Sequence, residues 1–288
     1  MSADLHCHTK LSDGSMGIED IITLAEKRGV STIAVTDIDC MAGTVRAKII
    51  GERRGVTVIP GVEISATDEV TGEELNILCY LCDAPDRLEG LCHRNLVARK
   101  KAAQYMMLKV AQKYPITPNL VLSCAQGSTN IYTTHIMAAL LESGMTTEIC
   151  GELYNELFGG EEHPFLVRAK FESGKAVIDA IHEAGGIAVL AHPGDYSSFD
   201  VLDRLVAEGL DGVEIWCPEH SDEQVEYLTA FAKKNRLLSV GGSNFRGRFN
   251  KNCVTIGSYL TPDKQLSELN GYKAKLKRKQ KAAENADK

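Results

Sequence analysis

A His-x-His motif, His6-Cys7-His8, lies at the end of the short predicted strand ADLHCHT. Alternate residues of a strand point to the same side, so the two imidazoles project together. Two imidazoles on one side are a typical pair of metal ligands. Neighbouring histidines are often incidental, however, and the motif alone leaves metal binding undecided.

Three further residues with metal-binding side chains lie at or near the ends of predicted strands. Asp13 is in the turn SDGS, Glu63 ends TVIPGVEIS and His192 ends IAVLAHP. Taken singly, Asp13 is typical of a turn, Glu63 of a solvated strand end, and His192 of a helix cap or a core histidine. Together with the two histidines they give the order HxH, D, E, H on successive strand ends. This order predicts a divalent metal centre.

The elements that must position these residues follow a repeated βα pattern. Short apolar runs alternate with amphipathic segments, first in ADLHCHT, GIEDIITLAEKRG and STIAVTD, and again in KAVIDAIHEAGG, IAVLAHP and GVEIWCP. Glycines close several of the helices, where a left-handed cap is needed. The pattern predicts an α/β fold with a parallel sheet closed as a barrel, whose active site lies at the C-terminal strand ends.

Two segments interrupt or follow this pattern. From about residue 84 to 163 only helical segments occur, NLVARKKAAQYMMLKVAQKY and HIMAALLESG being the clearest, which predicts a helical insertion domain. The barrel would then comprise residues 1–83 and 164–262. Residues 263–288 are expected to form a basic C-terminal tail, a solvated helix after Gly271, with polyanion binding as the alternative.

Composition narrows the class of protein. A chain of 288 residues fits a barrel with an insertion. A net charge of −7 and an aromatic content of 6% give little basis for nucleic-acid binding, so we do not expect that partner. Nine scattered cysteines, the lack of an apolar leader and the lack of an apolar run of ~20 residues predict a cytoplasmic protein without a membrane span.

Cys79 and Cys82 form a CxxC motif without a second pair. We interpret them as buried strand cysteines, with metal binding or redox cycling as the alternative. A zinc-ribbon or redox protein built on this motif is set aside, because predicted strands surround it.

Seven segments of the chain, taken in order, carry a family resemblance: DLHCHTKLSDGS, AVTDID, GVEIS, THIMAALLESG, AGGIAVLAHPG, GLDGVEIW and GGSNFRG. They resemble the polymerase and histidinol phosphatase (PHP) superfamily. The resemblance runs from about Asp4 to Ser258 and is strongest to the nucleotidase-like and exoribonuclease-like phosphoesterases. It implies a distorted seven-stranded (β/α)7 barrel of PHP type with a small all-helical insertion. It also implies up to three metal ions at the C-terminal mouth and hydrolysis of phosphate esters.

Carried over to this chain, the positions of the first two metals are partly kept. The four ligand positions of the first metal hold His6, His8, Glu63 and Asn244. The first three match the family, and Asn244 stands where the family has an aspartate. The second metal would share Glu63 and use His192, while Asn76 stands where the family has a histidine. An asparagine offers only a neutral carbonyl oxygen, so we expect weaker metal binding.

The third metal position is changed most. It keeps Asp13, but Ile38 and Arg246 stand where the family has histidines. The resemblance therefore implies one or two divalent ions, Mn, Zn or Fe, rather than three. We interpret Arg246 as a fixed positive charge that pairs with Asp13 or binds a phosphate oxygen, the alternative being an ordinary salt-bridging arginine.

Four side chains are candidates for substrate binding: Arg246, His135, Arg99 and Asn76. Relatives carry Arg-Pro-His in the insertion where this chain reads Thr133-Thr134-His135, so the histidine is kept without its arginine. Arg99 resembles an arginine of the family insertion, and a solvent-exposed helical arginine is the alternative.

The sequence thus predicts a metal-dependent phosphoesterase that hydrolyses a small phosphate ester of nucleotide or sugar phosphate type with a metal-activated water. Glu63 and His192 are the predicted catalytic residues, His192 as the acid that protonates the leaving oxygen unless it is a ligand. The alternative is a catalytically impaired member that binds a phosphorylated metabolite or serves regulation. The oligomeric state is left open.

Overall fold

Seven β-strands form the frame that carries the predicted metal ligands. In the computed structural model, which describes residues 2–159, 164–196, 199–251 and 253–286, these strands are hydrogen-bonded in sequence order. The first and last strands also meet, because the His8 amide donates to the Phe245 carbonyl (2.8 Å). The predicted seven-stranded α/β barrel is confirmed. Its strands are β1 Ala3–Cys7, β2 Thr32–Val35, β3 Thr57–Thr67, β4 Glu74–Tyr80, β5 Ile187–Leu190, β6 Gly212–Trp216 and β7 Leu238–Gly241.

Helices surround this frame. In the described part of the chain they are α1 Ile18–Lys27, α2 Thr44–Arg54, α3 Asp86–Lys113, α4 Pro118–Cys124, α5 Thr133–Glu142, α6 Glu152–Tyr154, α7 Gly174–Glu183, α8 Asp200–Ala207, α9 Asp222–Asn235 and α10 Asp263–Ala286. None of these helices is both long enough and apolar enough to cross a lipid bilayer.

The local sequence explains where the outer helices begin and which face they bury. α1 buries Ile18, Ile21, Ile22 and Ala25, a spacing of three to four residues that makes one apolar stripe. The helix α9 begins after Ser221, whose hydroxyl accepts a hydrogen bond from the Gln224 amide. This cap satisfies one of the free amides at the helix start.

The expectation of a parallel sheet is wrong for one strand. β4 runs antiparallel to both β3 and β5, whereas the remaining neighbouring pairs are parallel. The cause is the connection between β3 and β4, which comprises only residues 68–73 and cannot hold a crossover helix. The C-terminal end of β4 therefore emerges at the end of the barrel opposite to that of its parallel neighbours.

Alternation along the strands separates two apolar layers. Inward-facing side chains, among them Leu5, Ile59, Leu78 and Val189, fill the barrel. Outward-facing neighbours such as Val62 and Cys79 pack beneath α3 and α7. Because side chains of adjacent strand residues point to opposite faces, Leu78 and Cys79 belong to different layers.

The helices α3 to α6 enclose an apolar cluster of their own. Met106, Val121, Ile136 and Phe158 belong to it, and so does Phe249, which follows β7. The predicted helical insertion therefore packs against a loop of the barrel as well as against itself.

The segment expected to be a basic tail starts as a packed helix. Leu266 and Leu269 of α10 are buried and belong to the cluster that fills the barrel. Tyr272 donates a hydrogen bond to Asp211 Oδ1 (2.8 Å). The first turns of α10 thus close the end of the barrel opposite to the predicted metal ligands.

Candidate metal centre

Three predicted ligands form a buried cage at the C-terminal mouth of the barrel. His6 lies in β1, His8 follows that strand, and Glu63 lies in β3. All three side chains are fully buried. Each residue has one ligand atom within 4.8 Å of the others, so a single ion could contact all three.

The imidazole Nε2 atoms of this cage face the carboxylate of Glu63. His6 Nε2 lies 3.5 Å from Glu63 Oε1, and His8 Nε2 lies 3.5 Å from Glu63 Oε2. Both Nε2 atoms and Glu63 Oε2 are buried without a hydrogen-bond partner among the described residues. Buried polar atoms of this kind require an explanation, and a bound cation would supply one.

The opposite ring nitrogens explain why the Nε2 atoms are free. His6 Nδ1 lies 3.0 Å from Glu214 Oε1, and His8 Nδ1 lies 3.2 Å from Asp13 Oδ1. An ionised carboxylate only accepts hydrogen bonds, so each Nδ1 carries the proton and each neutral ring has its lone pair on Nε2. Such a carboxylate–histidine arrangement fixes the tautomer that binds a metal.

The charges of the cage also suit a divalent cation. Burial alone would lower the pKa of His6, but the charges of Glu214 and Glu63 outweigh it and raise the pKa to about 10. Burial would raise the pKa of Glu63, yet the neighbouring His6 holds it well below its usual range. Without a cation, His6 therefore holds a second ring proton at neutral pH, which compensates part of this negative charge. A bound cation would displace that proton. The imidazoles are then neutral, and the carboxylates of Glu63, Glu214 and Asp13 with the guanidinium of Arg246 leave two negative charges. A divalent cation would compensate them, so the residues fit a metal.

His192 lies beside the cage. It follows β5, and its Nε2 atom lies 3.3 Å from Glu63 Oε1. Its backbone has a φ of 26°, an uncommon value for a residue other than glycine, and its amide donates to Glu214 Oε2 (2.9 Å). Glu214 therefore holds both His6 and the backbone of His192. Burial would lower the pKa of His192, but Glu63 raises it above its usual value.

The third family metal position contains an ion pair between protein groups. Arg246 Nε donates to Asp13 Oδ2 (2.5 Å), and both side chains are largely buried. Burial would raise the pKa of Asp13, but Arg246 and His8 hold it well below its usual range. Ile38 is 6% exposed and offers no ligand atom. The guanidinium thus takes the place of a cation next to Asp13.

Asn244, the expected fourth ligand of the first metal, makes two hydrogen bonds to protein groups. Its side-chain oxygen accepts a hydrogen bond from Arg246 Nη1, and its amide nitrogen donates to Glu219 Oε1 (2.8 Å). Both ends of the amide are therefore engaged by protein groups. In this structure Asn244 links Arg246 to Glu219, and its role as a ligand of the first metal stays a prediction.

Two of the candidate substrate-binding residues, Arg99 and Asn76, are largely buried and each has a polar atom without a partner among the described residues. Arg99 is not a solvent-exposed arginine: its side chain is 14% exposed, donates to Glu74 Oε1 (2.7 Å) and lies over the Tyr132 and Phe171 rings. Its Nε atom is buried without a partner among the described residues. The Asn76 side-chain oxygen is buried and unpartnered in the same sense.

His135 lies at the start of α5 and is 2% exposed. Its Nδ1 atom accepts a hydrogen bond from the Tyr132 amide (3.2 Å), and its ring packs edge-on against Phe249. Burial lowers the pKa of His135 to about 4, so the ring is neutral near pH 7. It resembles a capping residue more than a charged phosphate ligand.

Sequence reasoning overlooked four acidic residues near the mouth: Asp37, Asp39, Glu214 and Glu219. Asp37 accepts hydrogen bonds from the Thr9 amide and from the Ser12 hydroxyl (2.7 and 2.6 Å), which fixes the loop after β1. Asp39 accepts from Asn95 (2.8 Å) and joins the barrel to α3, and burial raises its pKa to about 6. The sequence did contain a signal for Glu214, because it is a carboxylate inside the apolar strand GVEIW. A buried carboxylate has to be paired.

A cavity of about 360 Å³ reaches Asp195 and Tyr196, two neighbours of His192. Arg99, Tyr132 and Asp195 line it, together with Tyr196, whose ring lies 6.1 Å from that of His192. The Tyr132 hydroxyl is buried without a partner among the described residues. Small-molecule sites are commonly ~300–1,000 Å³ and contain a few polar groups of this kind.

The chain belongs to the PHP domain family of metal-dependent phosphoesterases, since the PHP domain profile matches residues 4–186. A phosphoribosyl 1,2-cyclic phosphate 1,2-diphosphodiesterase from Eggerthella lenta is 33% identical over 255 residues, which cover 87% of this chain and 96% of that one. A 5′-3′ exoribonuclease from Escherichia coli is 30% identical, with 84% of each chain covered.

A solved structure has the same architecture. It is that of a protein described as a metal-dependent phosphoesterase from Bifidobacterium adolescentis, with a TM-score of 0.84 and 29% identity. The superposition covers 93% of this chain and 94% of that protein. The PHP barrel with its insertion is therefore shared over almost the whole chain.

Proposed function

We propose that this protein hydrolyses a small phosphate ester, using one divalent ion bound by His6, His8 and Glu63. The observation that carries the proposal is the buried cage, in which two unpartnered Nε2 atoms face a carboxylate within a site of net negative charge. A divalent cation there would supply Lewis acidity for water activation and for the ester oxygens. Mn, Zn and Fe all accept such a ligand set.

The protein groups around the cage have separate roles in this proposal. Glu63 holds the ion, while Glu214 and Asp13 keep the lone pairs of His6 and His8 directed inward. His192 contacts Glu63 but lies outside the three-residue group. We assign to it the transfer of a proton to the leaving oxygen.

The cavity near His192 supports a small substrate. Its volume of about 360 Å³ suits a nucleotide or a sugar phosphate better than a polymer. Arg99 and Tyr132 would orient the part of the substrate distant from the reacting phosphate, and the unpartnered side-chain oxygen of Asn76 would add a polar contact. Arg246 would face the phosphoryl oxygens while it remains paired with Asp13. His135 would hold the start of α5 in place.

The similarities are consistent with this choice without deciding the substrate. The relative from Eggerthella lenta acts on a cyclic sugar phosphate by its name, and the one from Escherichia coli on RNA. The net charge of −7 gives no general attraction for RNA. We therefore favour the small ester and include RNA in the test.

A second function is favoured by the changed ligand positions. Ile38 cannot bind a metal and the Asn244 amide is engaged elsewhere, which leaves fewer ligands than the family pattern provides. A member with too little metal affinity would bind a phosphorylated metabolite without turning it over. Metal content and turnover distinguish the two functions.

The test begins with metal content, measured by plasma mass spectrometry after loading with Mn²⁺ and gel filtration. We expect about one ion per chain, lost in His6→Ala and kept in His182→Ala. His182 is a matched control, because its Nε2 atom also pairs with a buried carboxylate, Asp211 (2.8 Å), away from the cage.

Turnover is then measured on a panel containing a cyclic sugar phosphate, nucleoside monophosphates and a single-stranded RNA. We expect metal-dependent release of product from a small ester and none with His6→Ala. Bound metal without turnover of any panel member would favour the binding function. Absence of metal after loading would overturn the catalytic proposal.

A further inference from the structure

The two cysteines of the CxxC motif are brought together by an unusual backbone conformation. Cys79 lies in β4, which ends at Tyr80, and Cys82 follows two residues later. In a continuing strand, residues three apart would point to opposite faces about 10 Å from each other. Leu81 instead has a φ of 54°, a left-handed conformation that is rare for leucine. The chain turns there, so both side chains line one cleft and the two thiols perturb each other's pKa.

This arrangement corrects the interpretation of both residues as buried strand cysteines. Cys79 is 1% exposed and lies in the strand, but Cys82 lies beyond the strand and is half-buried. Cys82 also donates to the Ala184 carbonyl (3.2 Å). One thiol of the pair is therefore sheltered and the other is accessible.

The two thiols differ in acidity for identifiable reasons. The hydrogen bond from Cys79 lowers the pKa of Cys82 to about 7, against the effect of burial, and the Ala84 amide and the Lys273 ammonium lower it further. The same hydrogen bond and burial raise the pKa of Cys79 well above its usual value. Lys273 is held there by the Leu81 carbonyl (2.6 Å) and by Asp83 (2.5 Å). Thiolates next to a cation and a hydrogen-bond donor are the reactive ones in proteins.

A second, larger cleft gives access to this pair. It has a volume of about 860 Å³ and is lined by Cys79 and Cys82 and by two further cysteines, Cys40 and Cys92, which are buried. Gly186 packs so closely on Cys79 that an added Cβ would lie 2.7 Å from its sulfur, so the glycine leaves room for the thiol. Cys79 belongs to the outward-facing layer, and the antiparallel β4 ends away from the metal cage. The cleft is thus separate from the candidate metal centre.

We propose that Cys79 and Cys82 form a redox-active dithiol that low-molecular-weight disulfides convert reversibly to an intramolecular disulfide. The Cys82 thiolate attacks one sulfur of the external disulfide, forms a mixed disulfide and releases one thiolate. Cys79, after losing its proton, attacks Cys82 Sγ, closes the intramolecular bond and releases the second thiolate. The protein loses two electrons and two protons, and the external disulfide is reduced to two thiols.

The test uses oxidised glutathione with the full-length reduced protein, followed by alkylation of the remaining thiols and mass spectrometry. Trypsin releases both cysteines on one peptide, residues 55–87, because no lysine or arginine lies between Arg54 and Arg87. We expect this peptide to become two hydrogen atoms lighter and to regain both thiols with dithiothreitol. Cys79→Ser should trap one glutathionyl group on Cys82, whereas Cys82→Ser should leave Cys79 unmodified.

The exposed Cys253 is the internal control, since it should at most carry a mixed disulfide. The proposal is overturned if peptide 55–87 keeps both thiols under conditions that modify Cys253. It is equally overturned if the wild-type protein accumulates a stable glutathionyl adduct on Cys82 and no intramolecular disulfide. The wild-type measurement decides by itself, even where the Cys79→Ser variant fails to fold.

Discussion

Removing the Arg246 guanidinium tests whether it serves as the cation of the third family metal position. Arg246 Nε lies 2.5 Å from Asp13 Oδ2, and the two side chains are 17% and 9% exposed. Unit charges ~4 Å apart attract by about 4 kcal/mol at an effective dielectric constant of ~20. Removing one member of such a pair leaves a buried charge without compensation. We expect Arg246→Met to lower the free energy of unfolding by about 3–5 kcal/mol.

A double-mutant cycle with Asp13→Asn isolates the interaction from the other effects of each substitution. Guanidinium chloride unfolding of the four proteins should give a coupling energy of about 2–3 kcal/mol. Lys175 and Asp179 provide a matched cycle, because their N–O distance is also 2.5 Å but their side chains are 55% and 50% exposed. That cycle should show no measurable coupling. Additivity at Arg246 and Asp13 within ~0.5 kcal/mol would refute our account of the third position.

Three further predictions concern the candidate centre. Glu214→Gln should weaken Mn²⁺ binding ~10–100-fold by calorimetry, because Glu214 orients His6. Replacing both Ile38 and Arg246 by histidine should raise the bound metal by about one ion per chain, since the ligands of the third position return. His135 has a folded pKa of about 4, so the unfolded chain binds more protons between pH 4 and 6.5. Wild-type stability should therefore fall as the pH drops through this range, by up to about 3 kcal/mol more than that of His135→Gln.

A control variant checks the first of these predictions, and a specific outcome would contradict each of them. Asp211→Asn removes another buried carboxylate that pairs with a histidine, and it should leave the Mn²⁺ affinity unchanged. Equal losses in Glu214→Gln and Asp211→Asn would mean a general effect on folding. An unchanged metal count after the double histidine substitution would contradict the assigned third position. Parallel pH profiles for wild type and His135→Gln, from urea unfolding at pH 4.5, 5.5 and 7.5, would contradict the burial account.

The strands and the cage residues were largely predictable because simple periodicities specify them. His6 and His8 had to share a face, and Glu63 and His192 had to meet them once the strands formed one barrel. The antiparallel direction of β4 was harder to predict from the sequence, because it depends on the short link between β3 and β4. A strand pattern does not reveal strand direction.

Other features depend on contacts that the sequence does not specify. Nothing in the sequence indicates that the Asn244 amide lies between Arg246 and Glu219. The same holds for Cys82, whose approach to Cys79 follows from one backbone angle at Leu81. Such contacts depend on the completed fold, and local propensity does not determine them.

The pairing of Arg246 with Asp13 also changes how the protein depends on its surroundings. A bound metal dissociates when its free concentration falls, and chelators or competing proteins can remove it. A guanidinium is attached to the chain, stays charged at any physiological pH and cannot exchange with another ion. The negative charge of Asp13 is therefore compensated by Arg246 at every metal concentration. In return, that position can no longer bind a water molecule as a metal does, or respond to which metal is plentiful.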